Sequence, residues 1–235
     1  MKKPQFNLST PYKWPLSGHF SLTTTAVIVI DMQRDFLEDG GYFASMGEDI
    51  SHAQKAIQPA KHFLETARNL NMMVIHTRES HRTNLDDLNA NKFIKSQNQG
   101  APIGSNGPMG RLLVRGEYGS DIIDDLKPLN KETVIDKPGN SAFYATDLDI
   151  ILKTNRIESL VLLGVTTDVC ISSTMRDAND RGFDCLLLED CCGAATESLH
   201  HSVLKSMERE GGIFGCYGQS LDFCQFLSNA VEQTS

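Results

Sequence analysis

Apolar residues in this chain come in short unbroken runs, separated by longer stretches where they recur every three or four positions. The runs fall at 26–30, 72–75, 133–135, 160–163, 185–188 and 213–214, the last opening a final strand. Runs this short and without alternation predict strands buried on both faces. Helical spacing covers 50–70, with Ile57, Phe63, Leu64, Ala67 and Leu70 on one face and Pro59 as a break or kink. It recurs at 122–126, 146–153, 170–182, 197–210 (Leu199, Val203, Leu204 and Met207 inward) and 220–229. Strands alternating with helices predict an α/β fold: three layers, α/β/α, around a mostly parallel six-stranded sheet with right-handed crossovers. The stretch 80–119 is polar and spotted with Gly and Pro, with helical spacing only at 85–94. A connection of that length suggests a lid or the wall of a site. Residues 1–22 read as a non-helical arm with Pro4, Pro11, Pro15 and Trp14, anchored by its aromatics on the body or on a neighbouring subunit. Residues 23–235 read as one domain without internal repeats.

Composition narrows the function. With 40% hydrophobic residues, the 235-residue chain can bury a full core. Its net charge is −8 and its Lys and Arg are scattered, which argues against nucleic-acid binding. No stretch approaches the roughly 18–20 apolar residues of a membrane span. Met1-Lys2-Lys3-Pro4-Gln5 lacks the apolar centre of a signal peptide, so a cytoplasmic protein is expected. Six cysteines without zinc-site spacing or a small-domain framework read as free thiols, the vicinal Cys191 and Cys192 included.

Three predicted strands end in residues capable of chemistry: Asp31, Lys137 and Cys170. Parallel strands share a polarity, so their carboxyl ends meet on one edge of the sheet. Cys170 would also open a helix, whose positive N-terminus favours thiolate. Singly, each residue has a bland alternative: a turn cap, a solvated lysine, an inert thiol. Jointly they form a nucleophile with a cation and a proton acceptor.

The segments AVIVIDMQRDF (26–36), VIDKPGNSAF (134–143) and LLGVTTDVCISSTMRDANDRGF (162–183) resemble the isochorismatase-like cysteine hydrolases, a superfamily of Rossmann-like fold that includes nicotinamidases. The resemblance implies a triad of Asp31, Lys137 and Cys170, and a cis peptide between Val165 and Thr166. It further implies an oxyanion hole from the N–H groups of Thr166 and Cys170. PYKWP (11–15), HTRESHR (76–82), ANK (90–92), ATDLD (145–149) and CLLLEDCCGA (185–194) resemble, within that superfamily, the biuret hydrolases. That likeness implies an amidohydrolase of small ureides, biuret before triuret or ureidoacrylate, working as a homotetramer without a cofactor. It places Phe36 and Gln33 at the substrate. Glu210 stands where those enzymes carry Gln, and if it reaches the pocket it favours substrates presenting N–H over a carboxylate.

Nicotinamidases carry an Asp–His–His metal site after the second strand. Here that loop reads Thr77-Arg78-Glu79-Ser80-His81-Arg82, so His81 reads as a polar loop residue and no metal is expected. Vinyl-ether hydrolysis, as in true isochorismatases, does not need the cysteine of GVTTDVC. A catalytically silent binding module would not need the intact Asp/Lys/Cys set.

Overall fold

The computed structural model describes residues 4–232. One sheet holds β1 (Thr25–Ile30), β2 (Met73–Glu79), β3 (Thr133–Lys137), β4 (Ser159–Val165), β5 (Asp184–Gly193) and β6 (Cys216–Gly218). Their order is β3-β2-β1-β4-β5-β6, and every neighbouring pair is parallel. Every residue of β1 and β4 is buried. Since successive side chains point to opposite faces, both faces of the sheet are covered. Helix α1 (Ile57–Asn69) follows β1; α2 (Ala90–Asn98), mostly exposed, lies in the long connection between β2 and β3; and α3 (Leu148–Thr154), α4 (Ser172–Asp180), α5 (Glu197–Met207) and α6 (Ser220–Glu232) follow β3, β4, β5 and β6. Helices α1 and α6 pack against each other and against β5. The chain steps outward from β1 to β3, then crosses back to lay β4 on the other side of β1. That reversal opens a crevice at the carboxyl ends of β1 and β4, where open parallel sheets hold their ligands.

Several boundaries differ from those expected. The expected helix at 50–70 is broken as Pro59 suggested, into a short turn Ser51–Gln54 and α1, in which Pro59 is the third residue, where its missing N–H costs no helical bond. The expected helix at 122–126 is one 3₁₀ turn, Asp124–Leu126. The expected strand at 213–214 belongs to a glycine turn, and the last strand begins at Cys216. Gly215 has φ +128, and a Cβ there would stand 2.5 Å from the Cys185 carbonyl oxygen, so only glycine can enter β6 at this point. Leu199 is 41% exposed, leaving Leu204 and Met207 as the buried residues of α5.

The arm lies on the body of the same chain. Phe6 and Trp14 are fully buried, and both rings meet Phe223 of α6 edge-on. Thr10 pairs antiparallel with Tyr217, covering the open edge of β6. No helix among the described residues is long and apolar enough to cross a membrane.

Candidate active site

The crevice gathers four strand-end groups. Asp31 follows β1 directly, in the left-handed region at φ 51, which aspartate tolerates better than most residues. Glu79 and Lys137 are the last residues of β2 and β3, paired in register. Cys170 lies in a single π-helical turn, Thr167–Ile171, that leads into α4, and it does not open a regular helix. Such turns recur at functional sites. The Val165–Thr166 peptide preceding it is cis.

Lys137 is the hub. Its Nζ lies 2.7 Å from Asp31 Oδ2 and 3.6 Å from Glu79 Oε2. It donates to Cys170 Sγ at 3.3 Å and to the Gly139 carbonyl at 2.9 Å. The Cys170 thiol donates to Glu79 Oε2 at 3.3 Å. Thr77 Oγ1 donates to Asp31 Oδ1 at 2.7 Å. Beyond this ring, Lys92 of α2 places Nζ 2.7 Å from Glu79 Oε1 and donates to the Pro138 carbonyl at 2.7 Å. Asp31, Glu79, Lys137 and Cys170 are all buried. A cavity of about 500 Å³ opens onto Cys170 and Glu79, with Phe36, Tyr42, Lys92 and Tyr144 among its walls.

The three triad positions therefore come together, although β2 separates β3 from β1. The intervening strand adds Glu79, which sequence reasoning left among the polar residues ending that run. Phe36 lines the cavity as expected, and Thr166 lines it beside Cys170. Gln33 does not. Its Nε2 donates to the Glu79 and Ser120 carbonyls and its Oε1 accepts from the Glu79 N–H at 2.7 Å. With those bonds its amide is spent on the backbone, so it positions Glu79 and does not face a substrate. Glu210 is exposed, at φ 52 in the turn Arg209–Gly211 after α5, and is no part of the cavity wall. In a parallel sheet each helix returns the chain to the amino edge to start the next strand. The end of α5 therefore lies opposite the crevice, and Glu210 cannot discriminate substrates within its own chain. His81 is buried with Nδ1 3.2 Å from Asp87 Oδ1, and it does not line the cavity.

A family model described as the isochorismatase domain matches residues 25–216. The chain belongs to the isochorismatase family. It is 34% identical to a ureidoacrylate amidohydrolase RutB of Caulobacter segnis over 212 residues, covering 85% of this chain and 84% of that one. Identity to the protein of that name from Serratia proteamaculans is 29%, over 92% and 88% of the two chains. Among solved structures, a cysteine hydrolase from Pseudomonas syringae pv. phaseolicola superposes with TM-score 0.78 at 24% identity, over 98% of this chain and 100% of that one. N-carbamoylsarcosine amidase from Thermoplasma acidophilum gives 0.64 at 27%, over 84% and 96%.

In this family member burial and charge act against each other on every group. Burial pushes the Cys170 thiol well above its ordinary range. The Lys137 ammonium pulls it back, while the Asp31 and Glu79 carboxylates oppose ionisation. Burial also raises Asp31, against the pull of Lys137 and with help from Glu79. Burial alone would raise Glu79 too, but Lys92 and Lys137 outweigh it and hold its carboxyl down at about 2. Lys137 stays charged: the acids around it overcome its burial and lift it above its usual range. Among the described residues, Asp31, Glu79 and Cys170 are the set whose ligand atoms could surround a cation. The Lys137 ammonium stands among those atoms.

Proposed function

We propose that this isochorismatase-family protein is a cysteine-dependent amidohydrolase of small ureides, converting biuret to allophanate and ammonia through a thioester on Cys170. The observation that carries the reading is the buried thiol held between Lys137 and two carboxylates at the wall of an open cavity. As Sγ attacks a ureide carbonyl carbon, the thiol proton passes to Asp31, whose raised pKa makes it the better base of the two acids. The oxyanion is received by the backbone N–H groups of Thr166 and Cys170, each such donor being worth about 3–4 kcal/mol. Asp31 returns the proton to the nitrogen as the C–N bond breaks and ammonia leaves. Water, deprotonated by Asp31, then attacks the thioester, and the proton goes back to sulfur as the acid departs.

Biuret is put first by the near end-to-end resemblance of the arm, the HTRESHR loop and the CLLLEDCCGA strand to the biuret hydrolases. Ureidoacrylate is the second reading, with two supports. The relatives from Caulobacter and Serratia are named for that substrate. Lys95 lines the mouth of the cavity, and no ion pair is formed by it among the described residues, so its ammonium is open to a substrate carboxylate. The test is kcat/KM for ammonia release from biuret, triuret, ureidoacrylate, N-carbamoyl amino acids and nicotinamide. Release from nicotinamide alone would overturn the ureide reading. A preference for ureidoacrylate lost in Lys95→Ala would establish the second reading over the first. We further propose a homotetramer, which light scattering on the purified protein measures.

A further inference from the structure

Glu79 is the group in the site that the triad does not explain. It is buried, it lines the cavity, and its Oε2 lies 3.3 Å from the nucleophilic sulfur. Its backbone is held from both sides by the Gln33 amide, and its other oxygen is held by Lys92 at 2.7 Å. A carboxylate so fixed cannot swing away when chemistry begins. Once the thiol proton has gone to Asp31, Oε2 has lost its donor. A buried charged acceptor left unpaired is costly. The carbon then bonded to sulfur carries the nitrogens of the ureide, two bonds from Sγ and within reach of Oε2.

We infer that Glu79 is a specificity-determining residue: its carboxylate accepts a hydrogen bond from an N–H on the attacked carbonyl carbon, selecting ureides over substrates with no N–H there. The inference rests on the ureide reading above and names the residue that enforces it. A substrate lacking that N–H leaves Oε2 with no hydrogen-bond donor in the transition state, only the 3.6 Å ion pair to Lys137, and sites built to pair such a group reject the analogue strongly. Asp31 and Glu79 thereby divide the work: one carries the proton, the other stays an anion throughout. The charged and titratable groups facing Glu79 are Asp31, Lys92, Lys137, Cys170, Tyr42 and His81.

Glu79→Gln keeps the shape. Lys92 would claim the amide oxygen, so the cavity would meet an NH₂ donor where it had an acceptor. The test compares kcat/KM for biuret and ureidoacrylate with the rate of acylation by p-nitrophenyl acetate, an ester with no N–H at the attacked carbon. The expected result is a fall of about 10- to 100-fold for the ureides. Ester acylation should be unchanged or faster, because a carboxylate opposing thiolate has been removed. Equal losses on both substrates, or no loss on the ureides, would overturn the inference. Wild-type protein acylated by the ester yet silent towards every ureide would overturn the ureide reading itself, an outcome visible without any variant. Should Glu79→Gln fail to fold, Lys92→Met carries the test. It removes the 2.7 Å anchor of Glu79 Oε1, so the ratio of ureide turnover to ester acylation should fall. An unchanged ratio in Lys92→Met would count against the inference.

Discussion

Strand β2 belongs to two buried charge clusters, and they are built on opposite plans. Midway along it, His76 Nε2 lies 3.1 Å from Glu132 Oε2. Arg68 grips the same carboxylate with Nε–H to Oε1 at 2.8 Å and a second N–H to Oε2 at 2.7 Å, and the Leu129 N–H adds a bond at 2.8 Å. Both oxygens of that carboxylate have partners of fixed geometry. At the end of β2, by contrast, two carboxylates and a thiol crowd around one ammonium, and Lys92 relieves only Glu79. Complete pairing holds a carboxylate charged and inert. Incomplete pairing leaves Asp31 reluctant to be charged and therefore willing to carry a proton. Burial is common to both clusters; the difference is that Glu132 has the Arg68 guanidinium to itself, whereas Asp31 shares the Lys137 ammonium with Glu79 and Cys170.

The sharpest break of that contrast is Cys170→Ala. Ammonia release should vanish while the melting temperature holds, because a small residue fits the space, and Ala at Cys185, Cys191 or Cys192 should retain turnover. Asp31→Asn should follow, with a loss of about 10²- to 10⁴-fold in kcat. The acid limb of wild-type kcat/KM should lie above the ordinary aspartate value of 3.8, since burial, aided by Glu79, raises Asp31. The base form is needed, so activity is lost as pH falls through that raised pKa, and a limb at or below the ordinary value would refute the assignment. Lys137→Met should cost about 3–5 kcal/mol of stability by leaving buried acids without their shared cation, and should raise the thiol pKa, read from thiolate absorbance. Smallest is Glu132→Gln, which should cost about 1–3 kcal/mol in denaturant titration and leave turnover alone. Burial works to raise Glu132, but Arg68 and His76 bring it down to about 2 from 4.5. Its contribution is therefore full above pH 4.5, fades as pH falls towards 2, and should be absent from the variant's acid unfolding curve.

The inner strands and the three triad positions were legible because a doubly covered parallel sheet writes them as unbroken apolar runs ending in chemistry. Glu79 was not, although HTRES displays it, because its meaning depends on β2 lying between β3 and β1. Strand order is a long-range fact that local spacing does not carry. Gln33 was misplaced for a related reason. The family resemblance put it at the substrate, whereas its amide is consumed by the backbone of a residue 46 positions away. Glu210 could have been excluded from topology alone, since a residue between a helix and the next parallel strand belongs to the amino edge. The last strand begins three residues later than expected because Ile213 and Phe214 read as apolar while the conformation is decided by Gly211, Gly212 and Gly215, all at positive φ.

The arm has a consequence for how the chain is made. Tyr12 donates to Asp184 Oδ1 at 2.7 Å across 172 residues of sequence, and Trp14 rests on Phe223, farther still. During synthesis the arm leaves the ribosome long before its docking surface exists, and its aromatic rings must wait in solvent or on a chaperone. The sheet can assemble outward from β1 in the meantime, but its far edge stays open until α6 has been translated. A ribosome stalled before that helix would hold a nearly finished enzyme with a bare strand edge and two greasy surfaces, a natural target for quality control.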